Sequence, residues 1–135
     1  MRPRFHPGVL AVIAVGGAAG TLGRAALAYA LPPSPDGFPW ATFIANVVGS
    51  LVLGLIVVAA LERVAPSRYF RPLLATGLCG GLTTFSTFVV ETDLLVKNGH
   101  IGIAAVYVVV SVVAALAVVR IGMLLARAAW GGGAS

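Results

Sequence analysis

Apolar residues in this chain come in four long runs, and the segments between and flanking them hold most of its prolines and charges. The first run extends from about Gly8 to Leu31 and stops at "PPSPDG", whose prolines and glycine cannot continue a helix. The second runs from about Trp40 to Leu61 and stops at "ERVAPSR". A third begins near Pro72 and fades around "ETDLL", and a fourth spans about Ile101 to Ala126 before a flexible "GGGAS" tail. At about 1.5 Å per residue, each is long enough to cross roughly 30 Å of hydrocarbon. The pattern predicts an all-α integral membrane protein, a single domain over residues 1–135 with four transmembrane helices (about 8–31, 40–61, 72–95 and 101–126) and both termini on one side.

The beginning, "MRPRFHPGVLAVIAVGGAAG", has the outline of a signal peptide: Arg2 and Arg4, an apolar stretch, then small residues. Its apolar character continues to Leu31, too long for a signal core, so the first run is expected to be a retained span. No repeat of 20 to 50 residues is visible. Four helices form a thin bundle with little surface to enclose a site, which points to an oligomer.

Polar residues inside the runs are few and mostly neutral. In the second, "TFIANVVGSLVLG" places Thr42, Asn46, Gly49, Ser50 and Gly54 at spacings near three and four, hence on roughly one helix face. Such a face is either a packing seam or a functional one, and a primary amide is an unusual choice where Ser or Gly would pack as well. Gly16, Gly20 and Gly23 form a comparable seam in the first run, with packing as the expected role.

The third run holds the oddest segment, "GLCGGLTTFSTF", Gly77 to Phe88. Its glycines weaken a helix, and its hydroxyls can satisfy the backbone groups that a break would free. In lipid, non-helical backbone survives only where protein buries it or it lines a cavity. A helix broken here, at mid-membrane depth, is a candidate ion site, offering carbonyls to a cation and half-helix N-termini to an anion. Phe85 and Phe88 would project from one face of the half-helix that follows.

Composition narrows the choice of chemistry. The 135 residues are 59% hydrophobic and 10% charged, with mean hydropathy +1.02, whereas soluble domains carry about 25% charged residues. A pI near 10.4 does not signal nucleic acid, because the basic residues sit at the ends of apolar runs rather than on a phosphate-tracking face. Cys79 has no intrachain partner and reads as a small core residue. His6 and His100 flank spans, no His/Cys/Asp/Glu set has ligand spacing, no nucleophile stands beside a base, and the Gly77–Phe88 segment lacks the lysine of a phosphate loop. The chain is not expected to be an enzyme. Glu62, Glu91, Asp93 and Lys97 sit near span ends, and no carboxylate lies mid-span, which counts against a proton-coupled exporter. Arg120 is close enough to its interface to snorkel, while Arg24 lies deeper and is open to a structural or a functional reading.

Three motifs in order, "GGAAGTLGR", "ATFIANVVGSLVLG" and "GLCGGLTTFSTFVVE", resemble those of the Fluc/CrcB family of small fluoride channels, and the resemblance covers nearly the whole chain. It implies an antiparallel, dual-topology dimer of oppositely inserted subunits in the cytoplasmic membrane. Two fluoride pores would run along the subunit interface, around a central structural sodium ion, and the channel would export fluoride passively to limit its toxicity. By the same resemblance, Asn46 donates to fluoride and Phe85 and Phe88 form an aromatic box. Backbone carbonyls of Gly80 and Thr83 would hold sodium, and Thr87, Thr42, Tyr107 and Ser111 would join the polar track; Arg24, from its depth, is expected at a vestibule or in a structural role.

Charge placement strains one of these expectations. Arg2, Arg4, Arg63, Arg68, Arg71 and Arg127, with Arg120 joining them, fall on the side of the termini, against Lys97 and Arg24 on the other. Such a bias predicts termini in the cytoplasm, and it leaves open a homodimer or a heterodimer with an oppositely oriented homologous chain. Other classes with this outline are a small four-span exporter, for which an embedded acid is missing, and a non-transporting membrane subunit, against which only the hydroxyl-rich third run speaks.

Overall fold

The computed structural model describes residues 6–34, 36–63 and 67–131. The beginning with Arg2 and Arg4, the side chains of Glu62 and Arg63, and the end of the chain from Gly132 lie outside the described residues. Helices account for the architecture, and no strand occurs among the described residues. They are α1 (Pro7–Ala30), α2 (Trp40–Val58) with a π-helical turn at Ala59–Arg63, a π-helical stretch Pro72–Cys79 running into a short α3 (Gly80–Leu82), α4 (Phe85–Lys97) and α5 (Ile101–Gly131). Among the described residues, four segments are long and apolar enough to cross a membrane: Pro7–Ala30, Trp40–Leu61, Pro72–Lys97 and Ile101–Ala129.

Local chemistry sets the ends of these helices. Pro7 and Pro72 stand in first turns, where a missing N–H removes no helical bond. α1 stops at Leu31, directly before Pro32 and Pro33. α4 closes on Gly99, whose φ of +84° suits a residue without Cβ. There the Gly99 N–H donates to Val96 O at 3.0 Å and the His100 N–H to Leu95 O at 2.8 Å, the paired bonds of a Schellman cap. Residues Asn98–His100 are thus the whole link between α4 and α5.

The spans pack in pairs, α1 along the π-helical stretch and α3, and α2 along α5. Glycines let backbones touch. A Cβ on Gly77 would lie 2.8 Å from Ile13 O and 3.0 Å from Gly16 Cα, and one on Gly54 would lie 3.2 Å from Gly122 Cα. The seam read from Gly16 and Gly20 is therefore a real close approach. Arg71 joins the ends of spans two and three by donating to Ala60 O at 3.1 Å. At the opposite end, Tyr107 is fully buried in an aromatic cluster with Phe38 (centroids 5.2 Å, edge-on) and Phe88 (5.0 Å).

Candidate functional site

The third span leaves helical geometry at Thr83 (φ −80°, ψ 152°) and Thr84 (φ −148°, ψ 124°), and resumes at Phe85. Extended backbone inside a span leaves polar groups without helical partners, and each needs another. Thr83 stays tied to the turn before it, donating to Cys79 O through its N–H at 2.9 Å and its hydroxyl at 2.8 Å. Thr84, buried, is held from outside. Its N–H donates to Asn46 Oδ1 at 2.8 Å, and Asn46 Nδ2 donates to Thr84 O at 3.1 Å. Thr84 in turn caps α4, its Oγ1 accepting from the Thr87 N–H at 3.2 Å while it donates to Thr87 Oγ1 at 3.0 Å.

These bonds carry a consequence for two carbonyls. In a continuous α-helix the Thr84 N–H would bond Gly80 O and the Thr87 N–H would bond Thr83 O. Here those donors go to Asn46 and to the Thr84 hydroxyl, so the Gly80 and Thr83 carbonyls lose their helical partners. Gly80 also faces open space, with nothing within 4 Å of where its Cβ would be.

An open cleft of about 420 Å³ lies against this interruption, and Asn46, Gly80, Thr83, Phe85, Phe88 and Ser111 all line it. Phe85 is 78% exposed, Phe88 is half-buried, and their ring centroids are 5.9 Å apart. The Ser111 hydroxyl is buried and has no hydrogen-bond partner among the described residues. The cleft therefore offers an α4 N-terminus, one uncommitted amide N–H of Asn46, a free hydroxyl and two aromatic rings, without a charged side chain on its wall.

The remaining residues picked from sequence gather elsewhere. Thr42 Oγ1 donates to Glu91 Oε1 and the Tyr107 hydroxyl to Glu91 Oε2, each at 2.8 Å. Thr42, Thr87, Glu91 and Arg24 border a second cavity of about 340 Å³. Glu91 also borders a third, beneath the 33–39 connection. From sequence alone Glu91 had no assigned role, and Thr84 counted only among the hydroxyls able to satisfy freed backbone groups, as it does for the Thr87 N–H. Glu91's place could have been suspected from its spacing, seven residues after Thr84 and three after Phe88 on one helix face, but its partners are 49 and 16 residues away.

Residues 11–123 match the family described as "CrcB-like protein, Camphor Resistance (CrcB)". The chain is 50% identical to the "Fluoride-specific ion channel FluC 1" of Mycobacterium bovis over 118 residues, covering 87% of this chain and 89% of that one. It is 43% identical to FluC 3 of Streptomyces avermitilis, across 95% of this chain and 63% of the relative. It is also 43% identical to FluC of Chlorobaculum tepidum, across 86% and 92%.

Proposed function

This chain belongs to the CrcB-like family of fluoride channels, and from that premise we propose that it is a fluoride-selective pore conducting passively through the cytoplasmic membrane. It is a multi-pass membrane protein and not an enzyme. The observation that carries the reading is the cleft in which Asn46, Phe85, Phe88 and Ser111 converge on the interruption of the third span.

Fluoride is small and tightly hydrated, so a pore has to replace its water with close donors while binding weakly enough to release it. Neutral groups suit that compromise. The uncommitted N–H of Asn46 and the Ser111 hydroxyl donate, the positive end of the α4 dipole adds attraction, and the ring edges of Phe85 and Phe88 present partial positive charge without trapping the ion. On the Thr42–Glu91–Tyr107 side, hydroxyls directed at the carboxylate keep it engaged, and Arg24 and Thr87 complete a vestibule.

The Gly80 and Thr83 carbonyls suit a sodium ion, because hard cations take oxygen ligands and these oxygens have lost their helical donors. Bound between two subunits, sodium supplies a fixed positive charge and a brace across the dimer. The exposed Phe85 ring is then covered by an oppositely inserted partner. That partner is a second copy or a homologous chain of opposite orientation, in which case one half's pore residues are dispensable. Arg68, Arg71, Arg120 and Arg127, all toward the end of the molecule where α1 begins and α5 ends, favour the heterodimer.

The test is efflux of fluoride and chloride from liposomes holding the purified chain, followed with ion-selective electrodes under a potassium gradient with valinomycin. Fast loss of fluoride with chloride retained is expected, from this chain alone or after an oppositely oriented homologue is added. Silence with such a homologue present would falsify the channel reading.

A further inference from the structure

We infer that Asn46 is a positioning residue for a cation site on span three, in addition to facing the anion cleft. The inference rests on reading the Gly80 and Thr83 carbonyls as sodium ligands. Thr84 is extended, so its N–H and C=O point to the same side, as in the closely spaced pair of an antiparallel ladder. Asn46 meets both with one planar amide, Oδ1 accepting at 2.8 Å and Nδ2 donating at 3.1 Å. That pairing fixes which way round the amide sits and leaves one N–H for the cleft.

The effect passes through a single peptide plane. The Thr83–Thr84 bond is trans, and in a planar trans peptide the C=O points opposite to the N–H. With the Thr84 N–H aimed at Asn46, the Thr83 carbonyl is turned away from Asn46. The same bond withholds the Thr84 N–H from Gly80 O, its partner in a continuous helix. One side chain therefore aims one carbonyl and frees the other, while the same residue lines the anion cleft. Alanine can do neither. Aspartate keeps the acceptor for the Thr84 N–H but has no N–H to offer Thr84 O.

The experiment reads cation binding without reading flux. Thermal unfolding of the purified chain is followed in chloride buffer, fluoride absent, as Na+ replaces N-methyl-D-glucamine at constant ionic strength. The oppositely oriented homologue is included if conduction needs it. The unaltered protein is expected to melt higher as Na+ rises. Asn46→Ala should need about tenfold or more Na+ for the same shift, the usual penalty for losing a group that orients a metal ligand. Phe88→Ile, which removes a pore ring, should keep the Na+ response even as flux falls. If Asn46→Ala yields no folded protein, Asn46→Asp takes its place and should retain the Na+ response. An unchanged midpoint in Asn46→Ala, or a response lost in Asn46→Asp, overturns the inference. So does a parent protein indifferent to Na+, and if that protein still conducts fluoride the channel reading stands without it.

Discussion

Phe85 and Phe88 stand three residues apart on one cleft, yet they are anchored differently. Phe85 is 78% exposed, while the Phe88 ring packs 5.0 Å from that of Tyr107. Phe85→Ile is therefore expected to abolish most fluoride flux while leaving the packing within its own subunit unchanged, so that any loss of melting temperature comes from the contact with the partner. Phe88→Ile should impair flux and also lower stability through the lost aromatic contact, about 0.5–1.5 kcal/mol. Normal throughput in both would remove the rings from the mechanism. Tyr107→Phe isolates a different bond: it keeps the buried ring but strips Glu91 Oε2 of its donor. Hydrogen bonds to charged groups contribute about 1.5–3 kcal/mol, so a drop of that order in detergent melting is expected. A wild-type melting curve would mean that the Glu91 carboxylate draws no net stability from this hydroxyl.

Among the elements, the third span shows most plainly what packing permits. Gly77 and Gly80 lie one turn apart and face opposite conditions. A Cβ on the first meets Ile13 O at 2.8 Å, whereas one on the second meets nothing within 4 Å. Gly77→Ala should destabilise by about 1–3 kcal/mol, since backbone atoms have to separate. Gly80→Ala should leave the packing within the subunit intact, and a melting loss equal to that of Gly77→Ala in the single subunit would contradict this account of the seam. The four spans were legible in the chain because lipid demands about 20 apolar residues in a row, and proline marks the gaps. The Gly77–Phe88 run was legible as polar and poorly helical. Which of its peptides leave helical geometry depended on Asn46, 38 residues away, and no local pattern announces that bond. The π-helical winding of Pro72–Cys79 was equally hidden, because it depends on the fit of that stretch against α1.

At the scale of the whole molecule, the outward faces are strongly apolar and the charges are unevenly divided. Arg68 and Arg71 precede the third span and Arg127 lies in the last turns of α5, whereas Lys97, at the other end, is paired with Asp93 at 2.7 Å. Reporter fusions at the C-terminus are expected to signal from the cytoplasm; equal cytoplasmic and external signals would contradict the charge bias and restore a dual-topology homodimer. Sequence exposed this asymmetry directly, since it needs only the position of each charge relative to a run. It did not expose the clustering of Thr42, Glu91 and Tyr107 into one network, because that requires three separate helices to be brought together.

The three-residue link Asn98–His100 bears on biosynthesis. At no more than about 3.6 Å per residue it reaches far less than a bilayer's thickness. The third and fourth spans are therefore tied into a helical hairpin, and translation is expected to deliver them as one unit with the link on a single side of the membrane. Lys97 and Asp93, beside the link, form an ion pair and bring no net charge to the side on which the link lies.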